Sequence, residues 1–241
     1  MRPALSDDRS QGMEDTLVRQ KQLAQRRNKL LDAAESLIRM SHSSEFTMLA
    51  LAELAGVSPT TPYNLFSSKA GLLYALMNRS MDGVSDLGEI AAAQKDPFDR
   101  ALAYADAVAA FFSSDPSFYR VLYRFLLGVS DPLHRPAFMD RGLAYWRDSI
   151  GGLETAQLIP AELSADQLAL ELEIHFVGVL DLWIQGELSE SAFRAQTVHG
   201  VILLLLGFAD EPSRPKLLKK LRSTSSKLTR SFSFQKAGRR R

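Results

Sequence analysis

Between Thr47 and Lys69 the chain gathers side chains suited to holding a polyanion and reading its edges. Thr47 stands at the start of an apolar helical stretch, where its hydroxyl and the free N–H groups of a helix N-terminus can hold a phosphate. Lys69 opens a later helix and would act there as a point charge. Asn64 can bond an adenine edge through both amide atoms, and Thr60 can offer its methyl group to thymine. Pro59 lies on the same exposed side, so Pro59, Thr60 and Asn64 are the candidates for base readout. The chemistry these residues suit is recognition of duplex DNA.

Such groups must be presented by rigid elements, and the residues between them supply those elements. Leu51, Ala52, Leu54 and Ala55 form one apolar face at helical spacing. Gly56 follows, where a helix can stop in a left-handed conformation at no steric cost to glycine. Ser58 is predicted to cap the next helix, with Pro59 at its first position, where a missing N–H is harmless. Helix, tight turn and short helix make a helix-turn-helix, whose second helix enters the major groove. Phe66 and Val57 are assigned to the core that anchors the short helix.

The stretch TMLALAELAGVSPTTPYNLFSSKAGLL resembles the tetracycline-repressor (TetR) family of transcriptional regulators. The matching positions are Thr47, Leu51, Ala52, Ala55, Gly56, Val57, Ser58, Thr61, Tyr63, Phe66, Lys69, Leu72 and Leu73, with the upstream run Leu30 to Ala34. The resemblance implies a homodimer whose two reading heads meet a roughly palindromic operator, and a ligand cavity in a second domain that moves the heads. It implies that Tyr63 presents its hydroxyl to the DNA backbone, and it adds Thr61 to the DNA-facing set. Three departures stand out. Pro62 replaces the usual aliphatic residue and disfavours a helical Thr61. Leu65 replaces a phosphate-reaching side chain, and the loop SHSSEF lacks the usual glycine.

Elsewhere the sequence offers little reactive chemistry. There is no cysteine, which excludes disulfides and thiolate sites. Four scattered histidines form no nucleophile–base pattern, and no glycine-rich phosphate loop appears. Glu171 and His175 share a helix face, but further metal ligands are not apparent. No enzyme activity, cofactor or metal is expected. Residues 100–184 are rich in aromatics, the usual setting of an apolar pocket with few polar anchors. The pocket candidates are Phe112, Tyr123, His134, Trp146, His175 and Phe176, and the expected effector is a small hydrophobic or aromatic molecule.

Helical periodicity dominates from about Arg19 to Ala209, so the predicted class is all-α. Residues 1–18 are expected to form a flexible arm and 19–80 the DNA-binding domain. Residues 81–211 are expected to form a helical ligand-binding and dimerisation domain, and 212–241 a basic, disordered tail. A first helix is predicted over Arg19–Met40, burying Leu23, Leu30, Ala33, Ala34, Leu37 and Ile38. Helices are also predicted near 97–113, 117–129, 136–151, Ser164–Gln185 and Ser189–Ala209. The last two are expected to pair with their symmetry mates as a four-helix bundle.

The formal net charge of +1 hides an uneven spread. Residues 82–211 carry 8 basic and 20 acidic residues, whereas residues 212–241 carry 11 basic and no acidic ones. The basic run Arg19–Lys29 could also reach phosphates. The first residues lack the apolar run of a secretory signal, and no stretch approaches the ~20 apolar residues of a membrane span. A cytoplasmic protein is expected. Two other readings are compatible with the sequence: a helical carrier or enzyme with a vestigial DNA head, and a DNA-binding protein without an effector.

Overall fold

A computed structural model describes residues 7–231, with side-chain surroundings for 16–228. Among the described residues the chain is helical throughout, with no strand. It divides into two compact units, Met1–Leu76 and Met77–Arg241. The predicted boundary at residue 80 falls a few residues later, within one continuous helix.

In the first unit, α1 runs Asp7–Ser41, α2 Met48–Ala55, α3 Thr61–Phe66, and α4 begins at Lys69 and continues to Ala91. Helices α1 and α2 pack together, and Leu30, Ala34 and Ile38 of α1 and Leu51 and Ala52 of α2 are wholly buried. Phe66 is buried from α3, and Leu72 and Leu73 from α4. Thr47 Oγ1 accepts the Ala50 N–H at 3.0 Å and starts α2. Gly56 ends it at φ 59, where its N–H bonds back to the helix carbonyls. Ser68 Oγ accepts the Gly71 N–H at 3.0 Å and starts α4.

Two expectations for this unit need correction. The segment expected to be a loose arm is helical from Asp7 onward, and Leu23 is 55% exposed, not buried. Apolar periodicity reports burial, and residues 16–29 of α1 are all exposed. Residues 1–6 lie outside the described residues. The cap of α3 is also displaced. Ser58–Thr61 form a turn, with the Thr61 N–H bonded to the Ser58 carbonyl at 2.9 Å, and the helix starts at Thr61 with Thr60 as its flanking residue. Ser58 Oγ instead lies 2.8 Å from Thr61 Oγ1. The displacement accounts for Pro62. The later start puts the proline in the first turn, where its absent N–H has no helical partner to lose. Its ring is buried, as an aliphatic side chain there would be.

The second unit holds the rest of α4, then α5 (Pro97–Ser113), α6 (Pro116–Gly128), α7 (Arg135–Ser149), the single-turn α8 (Gly151–Thr155), α9 (Ala165–Ile184), α10 (Glu190–Leu206) and α11 (Arg214–Ser231). Prolines at the first turns of α5, α6 and α7 set their starts. Ser164 and Gln167 close a reciprocal capping box on α9. Helices α9 and α10 form the predicted hairpin, and α5, α6 and α7 pack around it. At its centre Trp183 stacks on Phe193 at 4.8 Å.

The expected disordered tail is helical to Ser231 and packs on α10. Leu217, Thr224 and Leu228 are its buried side chains. His199 Nδ1 lies 2.9 Å from Thr224 Oγ1, and Lys216 reaches Asp96 at 2.9 Å and Asp99 at 2.5 Å. The hairpin α9–α10 is therefore not the end of the fold. Residues 232–241, with the closing Gly238–Arg241, lie outside the described residues.

Candidate nucleic-acid interface and ligand cavity

In the first unit the turn and α3 leave Pro59, Thr60, Tyr63 and Asn64 exposed. Thr47 is exposed at the N-terminus of α2, where it caps the helix and still meets solvent. Tyr63, at 54% exposure, is not a core aromatic. Thr61 is half-buried and engaged with Ser58. Lys69 is half-exposed at the start of α4, with Nζ 3.9 Å from Glu45 and 5.0 Å from the centre of the Phe46 ring. An exposed pair at that distance contributes little and leaves the ammonium able to meet another anion. From below, Phe66 holds α3 under the guanidinium of Arg27, 4.6 Å from its ring. The structure thus brings hydroxyls, an amide and a lysine to the surface of a braced short helix and its neighbours.

In the second unit a small cavity of about 30 Å³ lies among α4, α5, α6, α7 and α9. Of the predicted pocket residues, Phe112, Tyr123 and Phe176 line it. Their rings make edge-on and tilted contacts, Phe112 with Tyr123 at 4.7 Å and with Phe176 at 5.8 Å. Trp146 sits one layer away, 5.7 Å from Phe176.

Both histidines fall elsewhere. His134 flanks the start of α7, with Nδ1 3.0 Å from Asp131 Oδ2. His175 faces α10, with Nε2 3.2 Å from the Thr197 carbonyl, and burial pushes its pKa down. Glu171 is exposed beside it, and among the described residues no group of three potential ligands could hold a metal ion.

The residue that sequence reasoning missed is Glu173. It lines the cavity and is 8% exposed. Its position on the stripe Ala169, Leu172, Phe176, Leu180 was the available signal, since an acid on an apolar helix face is seldom a solvated one. Burial pushes its carboxyl up to about 7, against a hydrogen bond from Trp146 and the charge of Arg135, which pull it down. Tyr123 Oη is buried with no hydrogen-bond partner among the described residues, and burial raises its pKa as well.

The raised carboxyl makes stability depend on pH. The unfolded chain loses this proton near the ordinary glutamate value, while the folded chain keeps it to about 7. Between those values the folded state binds more protons, so stability falls as pH rises, by at most ~1.4 kcal/mol per unit. Glu173→Gln removes that dependence. The variant is expected to match the parent at about pH 4 and exceed it by roughly 1–3 kcal/mol at about pH 8, as read by urea denaturation across pH. A constant difference at all pH values would refute the assignment.

No family model and no curated protein matches the sequence. Solved structures do match. A TetR-family transcriptional regulator from Pectobacterium atrosepticum aligns at 20% identity with a TM-score of 0.63, covering 79% of this chain and 97% of that one. TylP, a TetR regulator from Streptomyces fradiae, aligns at 18% identity and a TM-score of 0.60, covering 85% and 98%. SmeT, the repressor of the Stenotrophomonas maltophilia multidrug efflux pump SmeDEF, aligns at 15% identity and a TM-score of 0.58, covering 77% and 91%. Among the described residues no helix is long and apolar enough to cross a membrane. The chain has the fold of the TetR-family transcriptional regulators.

Proposed function

We propose that this chain is a ligand-responsive transcriptional regulator, a repressor that binds a palindromic operator as a homodimer and leaves it when a small hydrophobic or aromatic effector binds. The observation that carries the reading is the exposed set Thr47, Pro59, Thr60, Tyr63 and Asn64, with Lys69 beside it, on a helix-turn-helix whose first helix is capped by Thr47 and Gly56. Thr47, Tyr63 and Lys69 hold phosphates, Thr61 supports the turn through Ser58, and Pro59, Thr60 and Asn64 meet base edges. SmeT, with a similar fold, is a repressor, which supports repression here. The protein acts without catalysis and in the cytoplasm, where its DNA lies.

The effector occupies the cavity lined by Phe112, Tyr123 and Phe176. Its lining includes Met81, on the helix that begins at Lys69. Arg141 of α7 grips the same helix, donating to the Asn78 carbonyl at 3.0 Å, to Asn78 Oδ1 at 2.9 Å and to Asp82 at 2.6 Å. A molecule that parts α7 from its neighbours therefore pulls on α4, and through α4 on the reading head. Release requires the effector to favour the unbound form by a coupling of typically about 1–3 kcal/mol.

A dimer through α9 and α10 is supported by apolar side chains left in solvent. Leu170, Ile174 and Leu182 are exposed at four- and eight-residue spacing on α9, with Gly178 between them, and Leu203 is exposed on α10. Such a stripe suits an isologous helix pair. The parent chain is expected to sediment as a dimer, and Ile174→Glu as a monomer that binds operator at least ~10-fold more weakly, because only one head then engages. A parent that sediments as a monomer while holding operator tightly would overturn the dimer reading.

A further inference from the structure

The cavity of the second unit is walled almost wholly by carbon, yet its lining includes the carboxyl of Glu173 and the hydroxyl of Tyr123, whereas the Tyr145 hydroxyl is spent on the Tyr104 carbonyl at 2.7 Å. Glu173 projects from α9 against α7, which makes room for it with a glycine. A Cβ on Gly142 would stand 2.5 Å from Glu173 Oε1 and 3.2 Å from Oε2. Trp146 hydrogen-bonds to the carboxylate, but among the described residues no cation forms an ion pair with it. The nearby arginines are committed elsewhere. Arg135 Nη1 donates to the Leu126 carbonyl at 2.8 Å, and Arg141 is bound to Asn78 and Asp82. Among the described residues Tyr123 Oη, fully enclosed, has no hydrogen-bond partner. Phe112, Phe138, Tyr145 and Phe176 add aromatic rings to the lining, and aromatic faces attract positive charge.

The geometry points to a hydrophobic cation as the occupant: an aryl-alkyl amine whose ammonium donates to the Glu173 carboxylate and the Tyr123 hydroxyl while its apolar body lies among the rings. The inference rests on the sensor reading above and names the ligand class of that same cavity. An anion would face an unpaired carboxylate. A neutral molecule would leave that carboxylate without an ion-pair partner, in surroundings where burial makes one valuable. At about 30 Å³ the cavity must widen to admit such a molecule. Met81 and Met139, unbranched and adaptable, are the part of the wall suited to move.

Isothermal titration of the full chain at about pH 8 with 4-phenylbutylamine, 4-phenylbutan-1-ol and 4-phenylbutyrate compares one skeleton in three charge states. The amine is expected to bind at least ~10-fold more tightly than the alcohol, and the acid more weakly than either. In Glu173→Gln, of the same shape, the amine's advantage should vanish while alcohol binding changes by less than about threefold, which shows the cavity intact. Tyr123→Phe should weaken the amine more than the alcohol. If the alcohol or the acid binds as tightly as the amine, or if Glu173→Gln keeps the preference, the cation assignment fails and the sensor reading stands. If none of the three binds, the sensor reading fails and takes this inference with it.

Discussion

Trp183→Ala is expected to lower the stability of the second unit by about 3–5 kcal/mol. The indole is fully buried in the α9–α10 hairpin, with one face stacked on Phe193 at 4.8 Å and 20°. The Arg120 guanidinium lies 4.7 Å from its ring. Truncation removes both contacts and leaves a cavity that stiff neighbours cannot close. Arg120, which also pairs with Glu190 at 3.1 Å, would keep its charge partner but lose the ring it rests on. Since a whole domain is stable by only about 5–15 kcal/mol, the variant should unfold at a much lower urea concentration with an unchanged slope. A loss below about 1 kcal/mol would mean that the hairpin is not packed around this residue.

The second large effect lies in DNA binding, and it separates two kinds of contact. Tyr63→Ala and Lys69→Ala should each weaken binding to all duplexes alike, by roughly tenfold, and Lys69→Ala should reduce the salt slope by about one. Asn64→Ala should instead cost about 1–3 kcal/mol on the preferred site and relax selectivity at one position of each half-site. Exposure supports the division. Tyr63 and Asn64 both face solvent from α3, whereas Lys69 is half-exposed and loosely paired with Glu45. Anisotropy titrations against a panel of duplexes at several salt concentrations measure both quantities. A changed base preference in Lys69→Ala, or unchanged selectivity in Asn64→Ala, would reverse the roles.

The legible parts of this molecule were those whose local chemistry and burial agree. Thr47 as a cap and Gly56 as a left-handed stop follow from residue type alone. Helix α5 spans Pro97–Ser113, where a helix near 97–113 is predicted. The less legible parts were helices whose polarity hides them. In α11 the pattern Leu217, Thr224, Leu228 was masked by lysines and arginines that lie at its surface or pair with Asp96 and Asp99. Residues 16–29 of α1, all exposed, present no buried face to betray the helix. Pro62 could be read as an anomaly but not resolved, because whether it strains α3 depends on where the helix starts, and the Ser58–Thr61 turn sets that. At the cavity, aromatic richness pointed to Phe112, Tyr123 and Phe176, but the histidines were chosen for their chemistry rather than their helix face. Glu173 was passed over because acids are usually solvated.

Whether the first unit reads a specific duplex is decided by selection from a random pool of duplexes with the full purified chain at moderate salt. The selected pool should be enriched in an inverted repeat whose half-sites lie about one helical turn apart, roughly 34–36 Å, with enrichment lost in Asn64→Ala. Uniform recovery of all sequences, governed by salt alone, would contradict specific reading.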